Sequence, residues 1–203
     1  MAKLQTKILE NFSGNIGDLN FYKWKNQFVI RSKRIPTKKP PTEAQVLSRN
    51  KFRFLNQLYK KLKQVTKVGF ESFTHSMTDR NAFFKYNYSA ISKTETELKI
   101  HYPDLILSKG NSRNKQLIDA GFNQKFFTLN WKNLNHPIED EKLCFVFLPS
   151  EESEIIYLEI PSSLEKLEME IPFTKNTSRF FVYYFTKNKK DVSNSEFIGE
   201  FLN

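Results

Sequence analysis

The sequence predicts an α+β protein: an N-terminal β-hairpin with a basic proline arm and amphipathic helices, followed by a C-terminal antiparallel β-sandwich of the immunoglobulin or fibronectin type. Three observations carry this expectation. Two aromatic and β-branched runs, Leu19 to Trp24 and Gln27 to Ser32, are separated by only Lys25-Asn26. A helical apolar periodicity sets in at Thr42. After Glu97 the chain breaks into short apolar runs spaced by Asn, Ser, Pro, Gly and Lys, the pattern of a sandwich. The implied domains are 1–96 for the hairpin, arm and helices and 97–203 for the sandwich.

In the hairpin, Asn26 suits a tight connection because Asn tolerates positive φ. Strand alternation sets Leu19, Phe21 and Lys23 on one face and Asn20, Tyr22 and Trp24 on the other. Neither face is cleanly apolar, and an isolated two-stranded hairpin is marginal in water. It therefore calls for support from the helix, another subunit or a ligand, with Tyr22 and Trp24 as the contact residues. The arm that follows interleaves Arg31, Lys33, Arg34, Lys38 and Lys39 with Pro36, Pro40 and Pro41. Proline fixes φ, removes a donor and disfavours helix at the residue before it, so the arm should run extended. It suits either nucleic-acid phosphate or an acidic neighbouring subunit.

Thr42-Glu43-Ala44-Gln45 fits a capping box directly before the periodic run. At about 100° per residue, Leu47, Phe54, Leu58, Leu62 and Val65 share a packing stripe, opposite Arg49, Arg53, Asn56, Lys60 and Lys63. Arg49 and Arg53, one turn apart, are candidates to hold an anion. Further on, Phe70, Phe73, Met77, Ala82, Phe83 and Tyr86 recur at helical spacing, and Thr78 or Asp79 caps a second helix ending near Asn87. The strand candidates are then "ELKIHYPDLILSK", "QKFFTLNWK", "KLCFVFL", "EIIYLEI", "KLEMEI", "RFFVYYFT" and "EFIGEFL", with Trp131 as a core aromatic between sheets. The alternation Leu167-Glu168-Met169-Glu170-Ile171 reads as a half-exposed strand.

Twenty phenylalanines against three methionines and six glycines suit aromatic cores and β structure. No apolar run is long enough to span a bilayer. Cys144 is the only cysteine, so there is no intramolecular disulfide and no cysteine metal cluster; a buried packing thiol is expected. Charge is unevenly divided: residues 1–70 hold 16 Lys+Arg against 3 Asp+Glu, and residues 71–203 hold 16 against 19. Such a dipole suits contact with a polyanion or head-to-tail stacking of copies.

No catalytic, metal or cofactor motif stands out. His75, His101 and His136 lack HExxH spacing, and no GxSxG, P-loop or GxGxxG occurs. The carboxylate runs at Glu139-Asp140-Glu141 and Glu151-Glu152-Glu154 read as solvated turns without EF-hand spacing. A non-enzymatic chain without catalytic residues, metal or cofactor is expected.

The segments "FSGNIGDLNFYKWKNQFVIRS", "KKPPTEAQVLSRNKF" and "DVSNSEFIGEF" resemble an uncharacterised family of about this length found in Bacteroidota. The shorter pattern of hairpin, Arg, Pro, "PTEAQ" and a helical Arg is similar to segments of phage-encoded proteins of unknown role. The resemblance implies no activity; it implies a Bacteroidota origin and a phage or mobile-element connection, and with it a virion location as the alternative to the cytoplasmic one expected because Met1 to Phe12 lacks the hydrophobic core of a signal peptide. With the residues, it favours a structural or assembly protein whose basic N-terminal half engages another copy or another protein subunit. The alternative is a nucleic-acid-binding module in which Arg31, Lys33, Arg34, Lys38, Lys39, Arg49 and Arg53 meet phosphates while Tyr22 or Trp24 stacks on bases.

Overall fold

The computed structural model describes residues 2–4, 13–24, 27–35, 39–73, 76–94, 97–112, 116–123, 126–133, 140–150, 154–170 and 179–202. The chain forms two compact units, Met1–Thr42 and Glu43–Asn203, and is mixed in class, with helices and several antiparallel sheets and more strand than helix.

The first unit is a four-stranded antiparallel sheet of β1 (Ala2–Leu4), β2 (Gly14–Ile16), β3 (Leu19–Trp24) and β4 (Gln27–Ser32), in the order β1-β4-β3-β2. The anticipated hairpin is its centre: Trp24 pairs with Gln27, and the connecting Lys25-Asn26 lie outside the described residues. Support that a lone hairpin would lack comes from β1 and β2 on its two edges. The tight connection from β2 to β3 is Gly17-Asp18, with Ile16 opposite Leu19. Gly17 takes φ 56°, the first-position conformation of a type II′ turn and one that glycine adopts without strain.

In the second unit, α1 (Glu43–Lys61) begins one residue after Thr42. Its apolar stripe turns inward as the periodicity requires: Leu55 and Leu62 are fully buried, and Phe54 and Leu58 pack against the same core. The helix does not continue unbroken to Val65; Leu62 interrupts it, and α2 (Lys63–Gly69) takes over. The Thr78 hydroxyl caps α3 (Asp79–Asn87), accepting from the Asn81 amide at 3.2 Å.

The strands are β5 (Ile91–Lys93), β6 (Leu98–Ile100), β7 (Gln116–Asn123), β8 (Phe126–Asn133), β9 (Lys142–Pro149), β10 (Ile156–Pro161), β11 (Lys166–Glu170), β12 (Arg179–Lys187) and β13 (Glu196–Leu202). They form sheets β10-β9-β12-β13 and β11-β8-β7 and the small hairpin β5-β6. The two central strands of the first of these, β9 and β12, are buried on both faces, as their alternation shows. Leu143, Phe145, Phe147, Phe180, Val182 and Tyr184 enter a core shared with Phe127, Leu129 and Trp131 of β8. The intervening Cys144, Val146, Leu148, Phe181, Tyr183 and Phe185 enter a second core shared with the helices. Helices, central sheet and outer sheet therefore form three layers, which is why "KLCFVFL" and "RFFVYYFT" read as unbroken apolar runs.

This arrangement changes two sequence expectations. The run from Glu97 is not one strand: only β6 is extended, a 3-10 turn follows at Tyr102–Asp104, and Leu105 and Leu107 are buried without strand pairing. Buried backbone still needs partners, and Asn87 supplies several. Its Nδ2 donates to the carbonyls of Phe83 at 2.9 Å and Ile106 at 2.8 Å, while its Oδ1 accepts from the Ile106 amide at 2.7 Å. The second change is additional pairing: β7 sits beside β8, with Ala120 opposite Leu129, and β5 pairs β6. A boundary between residues 96 and 97 falls inside the β5-β6 hairpin, and the helices share a core with the central sheet.

Candidate functional site

Two surfaces hold the residues that the sequence singled out. In the first unit, pairing in β3 and β4 sets Asn20, Tyr22 and Trp24 on the same face as Gln27, Val29 and Arg31. The Arg31 guanidinium lies over the Tyr22 ring, 5.3 Å from its centroid, a cation–π contact of about 0.5–1 kcal/mol at an exposed position. On the opposite face the Lys23 ammonium lies 5.8 Å from the Phe28 ring centre. Phe28 and Val29 are buried, yet Trp24 is 38% exposed, Leu19 44%, Ile16 54% and Ile35 85%. Lys33, Arg34 and Lys39 are exposed, and the Lys33 amide donates to the Asp18 carbonyl at 2.6 Å, tying the start of the arm to the β2–β3 turn. Pro36 and Lys38 lie outside the described residues. The structure thus gathers Tyr22, Trp24 and Arg31 on one face of a sheet that also leaves apolar side chains uncovered.

Arg49 and Arg53 belong to the second unit, exposed on α1. Their roles separate there. Arg53 reaches Asn50 Oδ1 at 3.4 Å and lines a cavity of about 370 Å³ with Leu47, Phe54, Lys93 and Leu98. That cavity shares Phe54, Glu97 and Leu98 with a longer groove of about 730 Å³. The groove continues along β6 to Tyr102, Phe181 and Phe197, and ends near Ser150 and Arg179. Tyr102 stacks on Phe181 with ring centres 3.5 Å apart. Two ion pairs belong to these groove residues, Lys99–Glu97 at 3.3 Å and Arg179–Glu200 at 3.1 Å, and the His101 Nδ1 lies 2.9 Å from a carboxylate oxygen of Asp104. Among the described residues, Arg53 and Lys93 make no ion pair. Sequence reading reached Arg53 but not Lys93 or the groove, because the short β5-β6 hairpin that carries Lys93 has too few residues to show a strand period.

One cluster of chemically capable groups, Cys144, Tyr157 and Glu159, is held by burial and by hydrogen bonds among its members and to Lys142. Cys144 is buried between sheet and helices, and burial pushes its thiol up to about 11, far from the range of a nucleophile at neutral pH. The Tyr157 hydroxyl lies 3.5 Å from that sulfur but 2.8 Å from Glu159 Oε1, so its single proton goes to the carboxylate. Burial works against the charged form of Glu159, but hydrogen bonds from Tyr157 and Lys142 prevail and hold its carboxyl below the ordinary range. His75, His136, Glu139, Glu151 and Glu152 lie outside the described residues. Among the described residues no group of three or more His, Cys, Asp or Glu is placed to hold a metal ion, and no helix is long and apolar enough to cross a membrane.

A comparison with curated proteins finds none that matches. A family model does match, over residues 11–199, which takes in the β2-to-β4 sheet strands, the helices and nearly all of the central sheet. The chain therefore belongs to the Family of unknown function (DUF6266).

Proposed function

We propose that this protein is a non-enzymatic assembly component whose basic first unit engages a neighbouring subunit, and that the neighbour is another copy of the chain. The observation that carries the reading is the pattern of exposure in the β1-β4-β3-β2 sheet: Ile16 and Leu19, opposite each other at the β2–β3 turn, are 54% and 44% exposed beside exposed cations. Apolar side chains left out on so small a unit favour a covering partner. Charge supports a second copy, since residues 1–42 hold 9 Lys+Arg against 2 Asp+Glu while residues 71–203 carry an acidic excess. A head-to-tail contact of this kind gives rings or filaments.

An immunoglobulin-like arrangement of the two larger sheets is part of the proposal, supported by Trp131 and the shared aromatic core between them. A Bacteroidota source and a phage or mobile-element setting, with a virion location, rest on sequence resemblance, and a cytoplasmic location rests on the composition of Met1 to Phe12. The same cations support a second reading, binding of nucleic acid through Arg31, Lys33, Arg34, Lys38 and Lys39 on the arm with Arg49 and Arg53 on the helix.

Replacing Tyr22 and Trp24 by Ser separates the readings when mass is measured by light scattering and folding by circular dichroism. Dissociation of a defined oligomer with the spectrum retained supports the subunit contact; an unchanged mass removes the hairpin from it. Arg31→Ala, Arg34→Ala, Lys38→Ala and Lys39→Ala together test the second reading, which requires loss of nucleic-acid retention.

A further inference from the structure

The groove beside β6 offers a binding site independent of the first unit. In the β5-β6 hairpin the His101 amide donates to the Ala90 carbonyl and the Thr94 amide to the Glu97 carbonyl, at 2.8 and 2.9 Å. Ile91 pairs with Ile100 and Lys93 with Leu98. In an antiparallel pair, inward-bonding residues alternate with outward-facing ones. The amides and carbonyls of Leu98 and Ile100 consequently point away from β5, and β6 has no second neighbour among the described strands. Leu98, Lys99 and Ile100 also line the groove in unbroken succession. A free strand edge thus runs along a cleft floored by Phe54, Phe181 and Phe197.

We infer that an extended peptide segment with alternating apolar and acidic residues binds in this groove by adding a strand to β6. Strand addition explains the edge: main-chain bonds to Leu98 and Ile100 supply affinity that does not depend on peptide sequence. The aromatic floor takes the apolar side chains. The acidic requirement comes from Arg53 and Lys93, which stand at the α1 end of the groove and make no ion pair among the described residues, whereas Lys99 and Arg179 are already matched by Glu97 and Glu200. The combined space suits a ligand of several residues, given that ligand sites span about 300–1,000 Å³.

The test uses a pool of fluorescein-labelled, acetylated and amidated octapeptides alternating Asp or Glu with Leu, Ile or Val, titrated with the full chain and read by anisotropy. Saturable binding is expected, weakened about tenfold or more, equivalent to about 1.4 kcal/mol, in the Arg53→Glu, Lys93→Glu variant. The same pool made with N-methylated backbones should fail to bind. Hydrogen exchange should show new protection at the amides of Leu98 and Ile100, the readout specific to strand addition. Binding that survives N-methylation, or is displaced fully by benzoate without amide protection, overturns strand addition in favour of a small-anion pocket. No binding by the pool overturns the site altogether. Neither result bears on the oligomeric state of the first unit.

Discussion

The sheet of the first unit and the central sheet of the second are both antiparallel and four-stranded, yet they use their faces in opposite ways. Strands β9 and β12 bury side chains on both faces, between helices on one side and β8 on the other. Strands β3 and β4 bury Phe28 and Val29 but leave Leu19 44% exposed, with the Arg31 guanidinium over the Tyr22 ring. A sheet closed on both faces has spent its apolar surface on folding; one left open retains some for binding. The difference places stability in the second unit and puts the proposed contact on the first.

A core deletion in the second unit should have the largest effect. Phe147 is fully buried, and its ring meets Phe127 edge-on at 5.1 Å. Phe147→Ala should cost about 3–5 kcal/mol in urea denaturation followed by circular dichroism. A loss under about 1 kcal/mol, below the usual range for emptying a core, would mean that β8 and β9 do not pack as described. Asn87→Ala strands buried groups around Leu105–Leu107 and should cost about 1–3 kcal/mol; no loss would show that water replaces the side chain there.

A pH series sharpens the same contrast without mutation. Burial raises the Cys144 thiol from 9.0 to about 11, so the folded state keeps a proton that the unfolded chain releases between those values. That contribution is present below pH 9 and is lost as pH rises towards 11. Stability of the wild type should therefore fall over that window more than that of Cys144→Ala, as denaturant midpoints would reveal. Parallel curves would remove the thiol as the cause. A smaller effect than Phe147→Ala belongs to the first sheet: Trp24 is 38% exposed, and Trp24→Ser should cost about 1 kcal/mol. A loss comparable to Phe147→Ala would make Trp24 a core residue and undercut its reading as a contact.

Much of this was legible where local pattern and final environment agree. The Thr42 start of α1, the Thr78 cap and the β3-β4 pairing all follow from short-range chemistry. Lys166 to Glu170 shows the alternating exposure anticipated for a half-exposed strand. Other elements were hidden because tertiary partners decide them. Strand β7 carries Asp119, Ala120 and Gly121, weak strand formers whose pairing with β8 overrides local preference. The segment after β6 looks like a strand because Leu105 and Leu107 are apolar, but the Asn87 side chain satisfies its backbone instead of a neighbouring strand. In the first unit β2 is only three residues long, too short to show a strand period, and it was not anticipated. The candidate site divides the same way: sequence alone singled out Tyr22, Trp24 and the cations as candidates, whereas the groove beside Arg53 depends on chain segments far apart in sequence.

The most direct measurement of the central claim is the mass of the purified full chain by light scattering coupled to size exclusion, with and without nuclease, at low and high salt. The account predicts a defined oligomer that keeps its mass through nuclease treatment and high salt. A monomer in every condition contradicts it, and a monomer that co-elutes with nucleic acid only at low salt moves the function to the basic arm and helix face as a polyanion site.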